Sequence, residues 1–161
     1  MPTDVEVGRD GHLYVTTLPG GPEGPSLGAR GSVYRVDPWH GRVRRVATGF
    51  LGATNLALGR HGEIFVSELF GDRISTAHRG GARKLLDVPA PAGLEYRDGR
   101  LYVGYDVFGS GKVATVDLGH RGRHHHAAST RRVMRRKRRK PLTNANARAW
   151  KHSHRPPGAL A

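Results

Sequence analysis

The sequence contains no cysteine. That excludes a disulfide framework, a thiol nucleophile, an iron–sulfur cluster and a Cys-ligated zinc site, and it leaves the redox compartment unread. No apolar run approaches the roughly 18 residues that a spanning helix needs, so no transmembrane segment is expected. The start, Met1-Pro2-Thr3-Asp4-Val5, has no basic stretch followed by an apolar one. No secretory signal is read there, and the product as written is expected in the cytoplasm. A 3.6-residue apolar stripe is also missing, so long amphipathic helices are not expected.

Acidic residues are missing from one end only. All 13 lie at or before Asp117, together with 14 of the 27 basic residues, while residues 119–161 carry the other 13 basic residues and no acid. The net charge of +14 is therefore the sum of a nearly neutral body and an Arg/His-rich tail.

The body, residues 1–118, holds 20 of the 23 glycines, set between short runs rich in Val, Leu, Tyr and Phe. That is the punctuation of many short strands. Period-2 alternation is visible in His12–Thr16, Ser32–Asp37, Arg42–Val46 and Glu63–Glu68. The chain also repeats itself: Asp4–Val15 lines up with Asn55–Val66, 51 positions on, and with a shorter copy at Leu94–Val103. Each copy reads as a strand, a tight turn ending in Gly, and a strand of the form apolar-aromatic-Val. A third strand follows at Ser32–Asp37, Arg73–Ala77 and Lys112–Asp117, and the first two copies add a fourth near Arg42–Ala47 and Ala82–Val88.

Four antiparallel strands in units of about 40 residues are the pattern of β-propeller blades. The expected fold is all-β: an incomplete β-propeller of about two and a half four-stranded antiparallel blades, with units at 2–49, 50–88 and 89–118. A disordered basic tail follows at 119–161. The first unit carries an insertion at Pro19–Gly31, too rich in Gly and Pro for regular structure and expected as a surface loop.

The Gly-x-Leu-Tyr-Val pattern with a Gly-x-Ile/Val third strand resembles NHL-type six-bladed propellers. More narrowly, Leu18–Pro25, Phe50–Leu56 and Val107–Val113 resemble the bacterial ScyD/ScyE family, named for scytonemin biosynthesis. The resemblance covers Pro2 to about Asp117. It implies a binding or scaffold module without catalysis of its own, whose full-length relatives are longer and secreted. This chain departs from them by starting inside the ring and by losing the pattern in mid-blade. Where a fourth strand should stand, Gly122–Ala128 has no apolar alternation. Unpaired flanking sheets then imply self-association.

The body uses two Lys, two Ile and one Asn, which suggests GC-rich coding. The tail therefore reads either as an out-of-frame or read-through end or as a genuine disordered extension. Within it, Arg131, Arg132, Arg135, Arg136, Lys137, Arg138, Arg139 and Lys140 form a run that attracts phosphate backbones without reading sequence. It lacks interleaved aromatics for base stacking. Non-specific polyanion binding is expected, and nucleic-acid binding through this tail is one alternative function. His124-His125-His126 lacks the spacing of a built zinc site. Gly109-Ser110-Gly111-Lys112 lacks the first Gly, the Ser/Thr and the following helix of a phosphate loop, and reads as a hairpin turn.

In propellers the first strand of each blade lines the channel. That geometry would bring Asp4, Asn55, Glu68, Asp72 and Asp106 toward one face, with Thr17 and the 18–31 loop. Such oxygens could bind Ca²⁺, which takes about six to eight oxygen ligands. Gluconolactonase-like propellers use a channel metal to polarise a lactone, so a remnant of a Ca²⁺-dependent propeller hydrolase is a further alternative. The competing expectation is that Asp4 and Asn55 satisfy backbone groups at strand starts and that Asp72 begins a turn. No cofactor is expected for this chain, with Ca²⁺ reserved for a full-length parent.

Overall fold

The computed structural model describes residues 1–19 and 25–119, and the regular structure among them is β-strand apart from two single turns of 3-10 helix. The first unit comprises β1 (Pro2–Val7), β2 (Leu13–Thr17), β3 (Gly31–Val36) and β4 (Val43–Phe50). The second comprises β5 (Ala53–Leu58), β6 (Ile64–Glu68), β7 (Arg73–His78) and β8 (Gly81–Asp87). The third has β9 (Leu94–Arg97), β10 (Arg100–Tyr105) and β11 (Lys112–Asp117). Within each unit, strands adjacent in sequence pair antiparallel. The fold is all-β with a curved, propeller-like arrangement of sheets. The expected basic tail lies outside the described residues.

Two local features differ from the sequence reading. Among its described residues, the loop of the first unit contains a 3-10 turn at Pro25–Leu27. The outer strands of the first two units also touch: Thr48 pairs with Gly81 in one parallel bridge, and the Thr48 N–H donates to the Gly80 carbonyl at 3.0 Å. Strand alternation cannot reveal such a bridge, because it depends on where the outer edge of β4, whose inner edge stays paired to β3 at Ser32 and Gly31, meets the start of β8 in the next unit.

The turns follow from backbone permissiveness. Asp98-Gly99 and Arg79-Gly80 each form a two-residue hairpin loop with both φ values positive, between 50° and 82°. That geometry matches the right-handed twist of the strands it joins. It also explains why the third copy of the repeat is one residue shorter than the other two. At Gly52 the φ is +74°, and a Cβ would stand 2.5 Å from the Phe70 ring, so only glycine fits this link between units.

The core lies between the units, face to face. Val33, Ala47 and Phe50 pack against Ala53, Leu56, Ile64 and Val66 across the first seam. Across the second, Phe65, Ile74 and Val88 meet Leu94, Leu101 and Val103. Alternate residues of one strand thus serve different seams: Val66 faces the first unit, while Phe65 faces the third. The sheet of the second unit, which lies between the other two, is apolar on both faces, which accounts for the short apolar run Ile64-Phe65-Val66.

Candidate functional site

A bulge shared by β1 and β5 sets the geometry of the predicted site. In β1 the register shifts between Pro2 and Asp4, and in β5 between Ala53 and Asn55, so Thr3 and Thr54 are the extra residues. A bulge places two successive residues against one partner and re-aims their side chains. As a result Thr3 and Asp4 both reach the second unit. The Thr3 hydroxyl lies 3.0 Å from the Ala53 carbonyl and 3.0 Å from the Thr16 hydroxyl, and the Asp4 carboxylate accepts the Leu56 N–H at 2.8 Å.

The same clasp recurs 51 residues later. The Asn55 side-chain oxygen accepts the Leu94 N–H at 2.8 Å, the Thr54 and Ser67 hydroxyls lie 3.0 Å apart, and the Ser67 hydroxyl donates to the Ala92 carbonyl at 2.9 Å. Asp4 and Asn55 therefore hold consecutive inner strands together. In the third unit Ala92, Gly93 and Gly104 stand at the equivalent positions, so the clasp has no side chains there.

Glu68 is fully buried. Its carboxylate accepts the Leu51 N–H at 2.6 Å and both the Nε and Nη2 protons of Arg73 at 2.8 Å, and it also takes the Ser75 hydroxyl proton. The Glu68 hydrogen bond holds the Arg73 guanidinium above its ordinary pKa, against the opposing effect of burial. A buried charge survives only when paired and fully hydrogen-bonded, and Glu68 meets both conditions. Because Leu51 lies in the link between the first two units, this carboxylate also anchors that link.

Asp72 and Asp106 both bond to the link between the second and third units. Both adopt positive φ, 48° and 58°. The Asp72 carboxylate accepts the Ala90 N–H at 2.7 Å and its carbonyl accepts the Val88 N–H at 2.9 Å, while the Asp106 N–H donates to the Pro89 carbonyl at 2.9 Å. The Asp106 carboxylate is ion-paired with Lys112, and that hydrogen bond holds its pKa below the usual carboxylate range. Gly109, Ser110 and Gly111 lie in the connection between β10 and β11, and Lys112 opens β11.

All five predicted residues thus lie at or beside seams between units, each with its own hydrogen-bond partners. Among the described residues no group of three or more His, Asp or Glu is arranged to hold a metal ion. Thr3, Thr54, Ser67, Arg73 and Ser75 complete these interactions and were not singled out from sequence. Extending the repeat alignment by one residue, to Thr3 over Thr54, and reading Thr16 over Ser67, would have found three of them. His124–His126 and the run from Arg131 to Lys140 lie outside the described residues.

A second cluster occupies the other ends of the first two hairpins, around a cleft of about 320 Å³ lined by Glu6, Asp10, Tyr14, Arg60 and Glu95 among others. Burial, with Asp4 and Glu95 nearby, raises the pKa of Glu6. Asp10 is pushed up by desolvation, but hydrogen bonds from the His12 N–H, Arg35 and Tyr14 outweigh this and lower its pKa. Nearby on the outer rim, desolvation of Asp37 is outweighed by hydrogen bonds from the His40 ring and from the His40 and Trp39 N–H groups, which hold it at about 2.

Stacked antiparallel units with repeated clasps between inner strands define the chain, over its described residues, as an incomplete β-propeller. Among solved structures it is similar to a catalytically inactive virginiamycin B lyase from Staphylococcus aureus with quinupristin, at 16% identity and a TM-score of 0.48, covering 72% of this chain and 41% of that one. It is also similar to the selenomethionine-substituted virginiamycin B lyase of the same organism, at 17% identity and a TM-score of 0.45, covering 75% and 42%. The chain spans less than half the length of these proteins. No family model matches it, and no curated protein matches it.

Proposed function

We propose that residues 1–118 are a blade segment of a ScyD/ScyE-like propeller that serves as a binding or scaffold module rather than a catalyst. The observation supporting this reading is the engagement of the Asp4, Asn55, Glu68 and Asp72 side chains in the seams between units, with the Asp106 carboxylate taken up by Lys112 within the third unit. Recruiting the seam oxygens to a metal or a reacting lactone would release backbone N–H groups and the buried Ser75 hydroxyl. Leaving such groups unpaired costs about 1–3 kcal/mol each.

The test is to titrate the full chain with Ca²⁺ while following thermal unfolding and lactone hydrolysis. The proposal expects no rise in melting temperature and no turnover. A saturable Ca²⁺-dependent rise that disappears in an Asp4→Asn, Asp106→Asn variant, or Ca²⁺-dependent lactonase activity, would overturn it in favour of the hydrolase reading.

A further inference from the structure

We propose that the open face of the first unit docks the open face of the third unit of a second copy of this chain. The inference rests on the stacking of units, and it holds whether or not the non-catalytic reading does.

The outer face of the first unit carries two apolar rows running across the strands. One follows the register Val7, Leu13, Val36, Val43 from β1 to β4. The other follows Val5, Val15, Tyr34. Val7 is 70% exposed, Val43 63% and Val5 55%. Four strands have thus built a face for packing, and among the described residues nothing covers it.

The repeat identifies what covers such a face. Residues 51 positions on from Val5, Val7, Leu13 and Val15 are Leu56, Leu58, Ile64 and Val66. Those four all belong to the seam between the first and second units. There they are covered by the opposite face of the first unit, where Tyr14 and Val33 pack. One unit further on, the corresponding Phe65 and Ile74 cover the third unit. In the third unit the same two positions hold Tyr102 and Val113, which are 38% and 79% exposed.

The two faces, both uncovered among the described residues, are therefore the two unlike halves of an interface that the chain already makes twice within itself. Because the halves differ, the contact between copies is head-to-tail, the kind that closes into a ring when the rotations sum to a full turn and otherwise grows as a filament. The third unit has Ala92, Gly93 and Gly104 in place of the clasp side chains, and Glu95, Arg97, Arg100, Thr115 and Asp117 share the face of Tyr102 and Val113, so the seam between copies keeps the apolar contact at Tyr102 and Val113 without the clasp. It is weaker than the internal seams and reversible.

The test is sedimentation velocity of the full chain over a range of concentrations at high salt, where charge contacts of the basic tail are screened. Reversible association is expected there. Two double variants separate the faces: Val7→Glu with Val43→Glu, and Tyr102→Glu with Val113→Glu. Each should weaken self-association by about a hundredfold or more, because it places carboxylates in an apolar seam. The far-UV circular dichroism should stay unchanged, since all four side chains are exposed. Mixing the two variants should restore a 1:1 complex, because each retains the half that the other lacks. A monodisperse wild-type monomer, association that vanishes with salt, or variants that stay monomeric when mixed would each overturn the proposal.

Discussion

Replacing Glu68 by alanine removes the acceptor for four donors at once. Arg73 is 31% exposed and turns to water at little cost. The Ser75 hydroxyl is fully buried and the Leu51 N–H was held by the missing carboxylate, so both lose their partner. Each unsatisfied buried group costs about 1–3 kcal/mol, and removing one member of a buried ion pair typically costs about 3–5 kcal/mol. A loss of about 4 kcal/mol is a large share of the roughly 5–15 kcal/mol by which domains are stable. For a body of this size, at about 3–6 °C per kcal/mol, the melting temperature should fall by about 12–24 °C. The assay is thermal unfolding followed by circular dichroism at one fixed protein concentration, since self-association would otherwise shift the midpoint. Arg73→Met should cost about as much by stranding the buried carboxylate, while the double variant Glu68→Met, Arg73→Met should recover much of the loss. A drop below about 3 °C for Glu68→Ala, or a double variant no better than the sum of the singles, would refute the account of Glu68 as the paired anchor of the first seam.

The clasps give a second prediction: Asn55→Ala should cost about 1–3 kcal/mol by orphaning the Leu94 N–H, read as earlier thermal unfolding. Hydrogen exchange should then rise at Leu94 more than at Leu56, whose own clasp through Asp4 is intact. At Asp37 the folded pKa is depressed from 3.8 to about 2, so the stability it contributes is present above pH 4 and is lost as the pH falls toward 2. Asp37→Asn should therefore lower the melting temperature at pH 5 and leave it nearly unchanged at pH 2, checked by unfolding across that range. Deleting residues 119–161 removes 13 basic residues and no acid, and should abolish salt-sensitive retention on a heparin column; retention that survives the deletion would place polyanion binding in the body.

Much of the strand framework was legible because its signals are local. Glycine punctuation, period-2 alternation and the 51-residue repeat located the strands of all three units, with boundaries differing by a few residues at the outer strands. β4, for instance, runs on to Phe50 where alternation ended near Ala47. That extension carries Phe50 into the first seam, a contact decided by the neighbouring sheet. The residues named for a site were legible as polar positions near strand starts and ends, yet their partners were not. Asp4 meets Leu56 and Asn55 meets Leu94 because a bulge turns two successive side chains toward the next unit. A bulge is a property of pairing with a second strand and leaves little trace in composition. Glu68 read as one of several oxygens converging on a channel mouth, yet it is fully buried. Its burial depends on Arg73, five residues on, being folded back across an intervening turn.

By itself the sequence determined a repeating all-β unit and placed an acid-free basic segment after it, because strand alternation, turn glycines and charge are written residue by residue. Tertiary structure alone decided which face of each sheet is covered and what the polar groups at the seams bind. Those outcomes depend on how one unit is rotated over the next, a relation that brings together residues some 40 to 50 positions apart and that no local pattern encodes.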